Sequence, residues 1–160
     1  MHNFRIGFGY DLHRLVPDRP LMLGGVDIPF ELGLKGHSDA DALLHAITDA
    51  LLGALALRDI GHHFPDTDPQ YKNADSRLLL RDAYALVREK GWQLGNLDAT
   101  IIAERPKMNP HIPKMQQHVA DDLDCELDQV SLKATTNEGV DAPGRGEAIA
   151  VHAVVLLVRL

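Results

Sequence analysis

The amino end alternates. In Phe4-Arg5-Ile6-Gly7-Phe8-Gly9-Tyr10-Asp11-Leu12-His13, apolar side chains fall at every second position, the period of a β-strand. Ile6, Phe8, Tyr10 and Leu12 share one face, which the pattern assigns to the core, while Gly7, Gly9, Asp11 and His13 share the other. Glycine weakens a strand interior unless another group must come close to the backbone, so the second face marks a close approach. Leu21 to Ile28 then predicts two short strands joined at Gly24-Gly25, a small hairpin. Glu31 to Gly36 shows little periodicity and predicts a loop. From Asp39 to Leu57 the period changes to that of a helix: Leu44, Ile47, Leu51 and Leu55 form a core stripe, and Ser38 followed by Asp41 resembles a capping box with Asp in place of Glu.

A polar loop, His62 to Pro69, follows; its acids and prolines predict a ligand-covering segment. A second helix spans about Ala74 to Lys90, turns Leu79, Ala83 and Leu86 inward, and stops at Gly91. Leu97, Ala99, Ile101 and Ala103 mark one side of a strand from Leu94 to Ala103, and Glu104 to Pro110 is a Pro-punctuated loop. Ile112, Met115, Val119 and Leu123 trace a third helix. Val130 to Thr136 alternates, and Ala148 to Val158 is apolar on both faces, as in a central strand. Between them lies the loop Asn137 to Glu147. The order predicts an α/β (α+β) two-layer sandwich: a mixed four-stranded sheet plus the hairpin, with three helices packed on one face.

Composition narrows the function classes. With 160 residues, 45 % of them apolar, the chain fills one core, and a single domain over residues 1–160 is expected. Net charge is −7, from 16 basic and 23 acidic residues, so no global field draws in nucleic acid or an anionic membrane. A phosphate ester would have to be held by local groups. The single Cys125 forms no intrachain disulfide, which fits a reducing, cytoplasmic setting. Met1 to Arg5 lacks the apolar run of a signal peptide, and Val151 to Val158 is too short to span a bilayer. No Gly-x-Gly-x-x-Gly opens a helix after a strand and no Walker-type loop occurs, so dinucleotide and P-loop chemistry are unsupported.

The candidate chemistry starts from Asp11 and His13, which period two points the same way. On the first helix, His45 lies four residues from Asp41 and from Asp49, at the edge of the core stripe. Two imidazoles and a carboxylate suit zinc and leave a fourth position open for water or substrate. The same spacing also suits a solvated strand end and a hydrogen-bonded edge histidine. His37-Ser38 precedes a helix whose first amides favour an anion, and Ser38 also fits a plain N-cap. Lys133, Thr135 and Glu138 surround a strand end, where hydroxyls can donate to phosphate and a carboxylate can hold magnesium; a merely polar strand end gives the same pattern. Asp59 and the Asp66-Thr67-Asp68 run can accept from substrate hydroxyls, or simply be solvated.

Taken in order, a set of segments resembles the 2-C-methyl-D-erythritol 2,4-cyclodiphosphate synthase family of the non-mevalonate isoprenoid pathway. They are Asp11-Leu12-His13, Gly24-Gly25, His37 to His45, Asp59-Ile60-Gly61, Phe64 to Asp68, Pro106-Lys107-Met108, Lys133 to Glu138 and Gly144 to Glu147. The resemblance covers essentially the whole chain. It implies a homotrimer with active sites at subunit interfaces, turning 4-diphosphocytidyl-2-C-methyl-D-erythritol 2-phosphate into the cyclic 2,4-diphosphate and CMP. By resemblance, Asp11, His13 and His45 ligate zinc or another divalent transition metal and touch substrate. His37 and Thr136 align and stabilise the diphosphate. Ser38, Asp59, Ile60, Gly61, Phe64, Pro65, Asp66, Thr67 and Asp68 hold the methylerythritol phosphate. The loop Ala103 to Asn109, with Pro106, Lys107 and Met108, cradles the cytidine together with Thr135. Glu138 ligates magnesium or manganese, and Lys133, Asn137, Ala142 and Arg145 complete the substrate-binding set.

Two positions depart from the family pattern: Phe8 stands where His is frequent, and Ala142 where Phe is. Tyr10, Arg145 and Glu147 match positions that line a cavity on the trimer axis, where isoprenoid diphosphates bind. The competing readings are a metal-dependent phosphohydrolase and a non-catalytic trimer that binds isoprenoid diphosphates. No nucleic acid or membrane partner is expected.

Overall fold

The computed structural model describes residues 2–160; Met1, the start of the amino-terminal segment discussed above, lies outside them. In chain order the elements are β1 (Phe4–Val16), β2 (Leu21–Leu23), β3 (Val26–Ile28), β4 (Gly33–Leu34), α1 (Ala42–Ala54), α2 (Ile60–His63), α3 (Ser76–Glu89), β5 (Trp92–Ile102), α4 (Ile112–Asp122), β6 (Val130–Thr135), α5 (Asp141–Gly144) and β7 (Ala148–Arg159). The main sheet has the order β4-β1-β7-β5-β6, and β2-β3 form the separate hairpin. Among the described residues only β5 and β6 run parallel. The sheet therefore has five strands instead of the expected four. Gly33 and Leu34 pair with Val16 and Leu15, a two-residue strand too short to show alternation. β7 is central, as its apolar run predicts.

One core continues from the inner face of the sheet into α1, α3 and α4: Leu44, Ile47 and Leu51 from α1, Leu80 and Val87 from α3, and Met115 and Val119 from α4 join Leu97, Ile101, Val151 and Val155 of the sheet. Each such side chain contributes about 1.5–3 kcal/mol on burial. α1 is shorter than its pattern predicts because Ala40 takes a left-handed φ of +59°, which no α-helix continues through. Its N-cap is Asp41 in place of Ser38. The fully buried Asp41 carboxylate accepts from the amides of Leu44, Gly24 and Gly25 at 3.1, 2.9 and 2.8 Å, so one side chain caps the helix and ties down the hairpin turn. Both turn glycines have positive φ, +60° and +71°, as a tight two-residue hairpin turn requires. Burial first, and the nearby Asp39 charge next, push the Asp41 carboxyl up from its ordinary value.

The faces of β1 are the reverse of the expectation. α1 lies on the glycine face: a Cβ at Gly7 would sit 1.8 Å from the Ala50 carbonyl oxygen, and one at Gly9 would sit 1.8 Å from that of Ala46. The apolar face points away from the helices. Ile6 is 66 % and Phe8 59 % exposed, and Phe4, Tyr10, Leu12 and Val154 are exposed beside them. Alternation identified two faces correctly, but in this chain the bare backbone is the covered one. Among the described residues no helix is long and apolar enough to cross a membrane.

Candidate metal centre

Because Asp11 and His13 follow Gly7 and Gly9 at period two, they leave β1 on the face that α1 covers, next to His45 on that helix. Asp11 Oδ2 lies 2.8 Å from His13 Nε2 and 3.1 Å from His45 Nδ1, and the two imidazole nitrogens are 3.4 Å apart. Tetrahedral coordination at about 2.0–2.1 Å places neighbouring donor atoms about 3.3 Å apart, so the spacing fits zinc or a similar divalent ion. The protonation pattern fits as well. His13 Nδ1 is 2.8 Å from the Lys35 carbonyl, which can only accept; Nδ1 therefore carries the proton and Nε2 turns a lone pair toward Asp11 and His45. At Gly36 a Cβ would come within 3.1 Å of the His13 ring, so the glycine makes room for the ligand.

Asp11 and His13 stabilise each other's charged forms. Burial alone would raise the Asp11 carboxyl, but hydrogen bonds to His13 and His45 and their charges outweigh it and bring it down to about 2. Burial would lower His13, yet the bond to Asp11 and its charge leave the imidazole above its ordinary value. The two shifts together favour an ionised carboxylate beside a protonated imidazole, so the Asp11 anion is matched by positive charge on His13.

The triad lines a cleft of about 350 Å³. His37 and Ser38 line it from the loop before α1; Ile60, Gly61, Phe64 and Asp66 line it from α2 and the turn beyond. Gly36, Tyr71 and Leu79 also line it. None of these three carries a sequence signal beyond ordinary loop and core composition, although Tyr71 stacks edge-on against Phe64 at 5.5 Å. Asp59 and Asp68 are engaged locally. Asp59 caps α2 through the His62 amide at 2.9 Å; the Asp68 side chain takes the Gln70 amide, and its carbonyl accepts from His37 Nε2 at 3.0 Å. Pro65 and Thr67 fall outside the lining.

A second cleft, of about 290 Å³, lies at the ends of β5 and β6. It brings together Ala103, Pro106, Lys107, Met108 and Asn109 with Thr135 and Thr136; Glu104 and Ala134 join them. Glu104 Oε1 accepts from the amides of Asn137 and Gly139 at 3.2 and 3.1 Å, holding the exposed turn on which Glu138 takes a φ of +52°. Lys133 is outside this lining and pairs with Asp98. Asn137 and Ala142 line a hollow with Tyr10 and His152, while Arg145 pairs with Glu147 at 3.0 Å. Burial and three acidic neighbours push the Cys125 thiol up to about 11, which removes it from consideration as a thiolate.

The two clefts share no lining residue among those described. Asp11, His13 and His45 line the first, and the ends of β5 and β6 with the loop after β5 line the second.

Comparison with known proteins agrees over the full length. The YgbB family model matches residues 4–158. A Geobacter sulfurreducens protein named 2-C-methyl-D-erythritol 2,4-cyclodiphosphate synthase is 67 % identical over 153 residues, 96 % of this chain and 98 % of that protein. Among solved structures, the bifunctional IspDF of Campylobacter jejuni superposes with a TM-score of 0.94 at 44 % identity; the match covers 98 % of this chain but spans only 42 % of that longer one. IspF of Plasmodium falciparum in complex with CDP superposes with a TM-score of 0.87 at 34 % identity, covering 99 % of each chain. Fold, cleft and sequence thus converge, and the chain belongs to the YgbB family.

Proposed function

We propose that this chain, acting as a single domain, converts 4-diphosphocytidyl-2-C-methyl-D-erythritol 2-phosphate to 2-C-methyl-D-erythritol 2,4-cyclodiphosphate and CMP. The observation that carries the reading is the convergence of Asp11, His13 and His45 in the lining of a cleft, in a chain whose relative bears that product in its name. An oxygen of the substrate's own 2-phosphate bonds to the β-phosphorus, the bond from that phosphorus to the CMP oxygen breaks, and CMP leaves with the electron pair. No protein nucleophile is required, so the protein's task is to position the chain ends and offset charge.

Asp11, His13 and His45 hold the zinc or other divalent transition-metal ion in this reading. Bound there, such an ion supplies Lewis acidity toward a phosphoryl oxygen and neutralises its charge. His37, anchored through Nε2 to the Asp68 carbonyl, and Thr136 orient the diphosphate. Ile60 and Phe64 give an apolar wall to the methylerythritol carbons, and the second cleft takes the cytidine, in keeping with the CDP bound to the Plasmodium relative. Glu138 offers the hard oxygen that magnesium or manganese takes alongside substrate phosphates. For Glu138→Gln we expect the magnesium dependence of turnover to weaken at least about tenfold while zinc content stays unchanged; magnesium titrations that superpose on wild type would remove this assignment. Local cations of this kind let a chain of net charge −7 bind a polyanion.

The active site is completed by a second subunit in a homotrimer. Support comes from two features: the candidate residues are divided between two clefts that share no lining residue, and Phe4, Ile6, Phe8, Tyr10, Leu12 and Val154 form an exposed apolar stripe on β1 and β7, of the kind that a partner surface covers. Phe8→Glu places a charge in that stripe and is expected to shift the protein to monomers in sedimentation, with turnover lost; an intact assembly would contradict the interface. Phosphorus NMR of the reaction separates this function from metal-dependent hydrolysis, since cyclisation yields a cyclic diphosphate and CMP whereas hydrolysis yields a linear phosphate.

A further inference from the structure

The nitrogen of His45 that faces away from the triad makes contacts that the chemistry above does not use. Nε2 lies 2.8 Å from the hydroxyl of Ser76, the first residue of α3, and 3.2 Å from that of Ser38. Ser76 is fully buried, and its hydroxyl is hydrogen-bonded to Asp39 Oδ1. The same carboxylate takes the Ser76 amide on Oδ2 at 3.0 Å and the Asp41 amide on Oδ1 at 3.2 Å. Surrounded by donors, it acts as an acceptor, so the Ser76 proton turns toward Asp39. What remains on Ser76 Oγ toward His45 is a lone pair. Ser38 is the weaker competitor, being farther away and already accepting the Ala40 amide at 3.1 Å.

We propose that Ser76 and Asp39 are positioning residues for the metal centre: Asp39 orients the Ser76 hydroxyl, and Ser76 in turn fixes His45 with its proton on Nε2 and the Nδ1 lone pair facing Asp11 and His13. The inference rests on the metal reading of the triad. It gives the two imidazoles matching supports from behind, a main-chain carbonyl at Lys35 for His13 and a side-chain relay for His45. The relay is held by backbone: the Asp39 amide donates to the Ala74 carbonyl at 3.1 Å and the Asn73 amide to the His37 carbonyl at 2.8 Å, pinning the start of α3 to the loop before α1. Outer partners of this kind orient a ligand and typically account for 10- to 100-fold in metal affinity.

Two substitutions test it on the full-length apo protein, with zinc affinity read by competition against a chromophoric chelator and thermal melting recorded alongside. Ser76→Ala removes the acceptor. Asp39→Asn, which keeps the side-chain shape at a less buried position and serves if the first variant does not fold, replaces one of the two acceptor oxygens with a donor and removes the charge. The amide oxygen cannot serve both the Ser76 amide and the Ser76 hydroxyl as the carboxylate does, and the hydroxyl proton is freer to turn toward His45. Both are expected to bind zinc about 10- to 100-fold more weakly. In zinc-loaded wild type, long-range nitrogen–proton NMR correlations are expected to show His45 protonated at Nε2. Wild-type affinity in both variants, or a His45 proton on Nδ1, overturns the relay and leaves the triad standing. A wild type that binds no zinc, or one that binds it equally well after His45→Ala, overturns the triad and the relay together.

Discussion

His45→Ala is expected to reduce turnover at least about a thousandfold, because losing a ligand forfeits the several kcal/mol of transition-state charge stabilisation that a bound metal supplies, and about 4 kcal/mol corresponds to that factor. The fold should survive the change. α1 is docked by Leu44, Ile47 and Leu51, all fully buried, whereas His45 sits at the flank and bonds only to polar partners. Steady-state rates, elemental analysis for zinc and circular dichroism on one preparation check all three parts. Wild-type-like turnover would rule out His45 as a ligand.

The second large effect is structural. Gly9→Ala is expected to cost at least about 3 kcal/mol, the upper range for overpacking a close-packed interior. Its Cβ would lie 1.8 Å from the Ala46 carbonyl oxygen and 2.9 Å from the Ala50 nitrogen, both helix backbone, so α1 has to lift from the sheet to admit it. Lifting α1 carries His45 away from Asp11 and His13, and zinc affinity should fall with stability. Gly53→Ala is the control: it lies on the same helix, its nearest neighbour is the Phe8 carbonyl at 3.9 Å, and alanine's helix preference should leave stability equal or raised by up to about 1 kcal/mol. Urea denaturation compares the two. A Gly9→Ala protein as stable as wild type would show that α1 does not press on the strand.

Local spacing made much of the site legible. Period two put Asp11 and His13 on one side, helical period put His45 at the edge of the core stripe, and the ordered motifs pointed to the family. What spacing leaves open is which side of β1 is covered. Phe8 and Tyr10 look like core on any hydrophobic scale, but the glycines opposite them admit a helix backbone that no side chain could, and packing of α1 decided the matter. The capping-box pattern made Ser38 the cap, with Asp41 three residues on; the left-handed Ala40 between them moves the cap to Asp41. Gly33–Leu34 was too short to alternate. Ser76 and Asp39 escaped altogether, since a serine that opens a helix and an acid in a turn are each accounted for locally, and only the meeting of α3 with α1 makes them partners of His45. The division of the candidate site between two separate clefts is likewise a tertiary fact.

The central claim is that the triad's metal assists attack by the substrate's own phosphate and not by water. Running the reaction of the zinc- and magnesium-loaded protein in ¹⁸O-enriched water, with mass spectrometry of both products, tests it most directly. Intramolecular closure predicts a cyclic diphosphate and CMP with no ¹⁸O in either. A linear phosphate product carrying one ¹⁸O atom would mean that the site activates water, and would contradict the account.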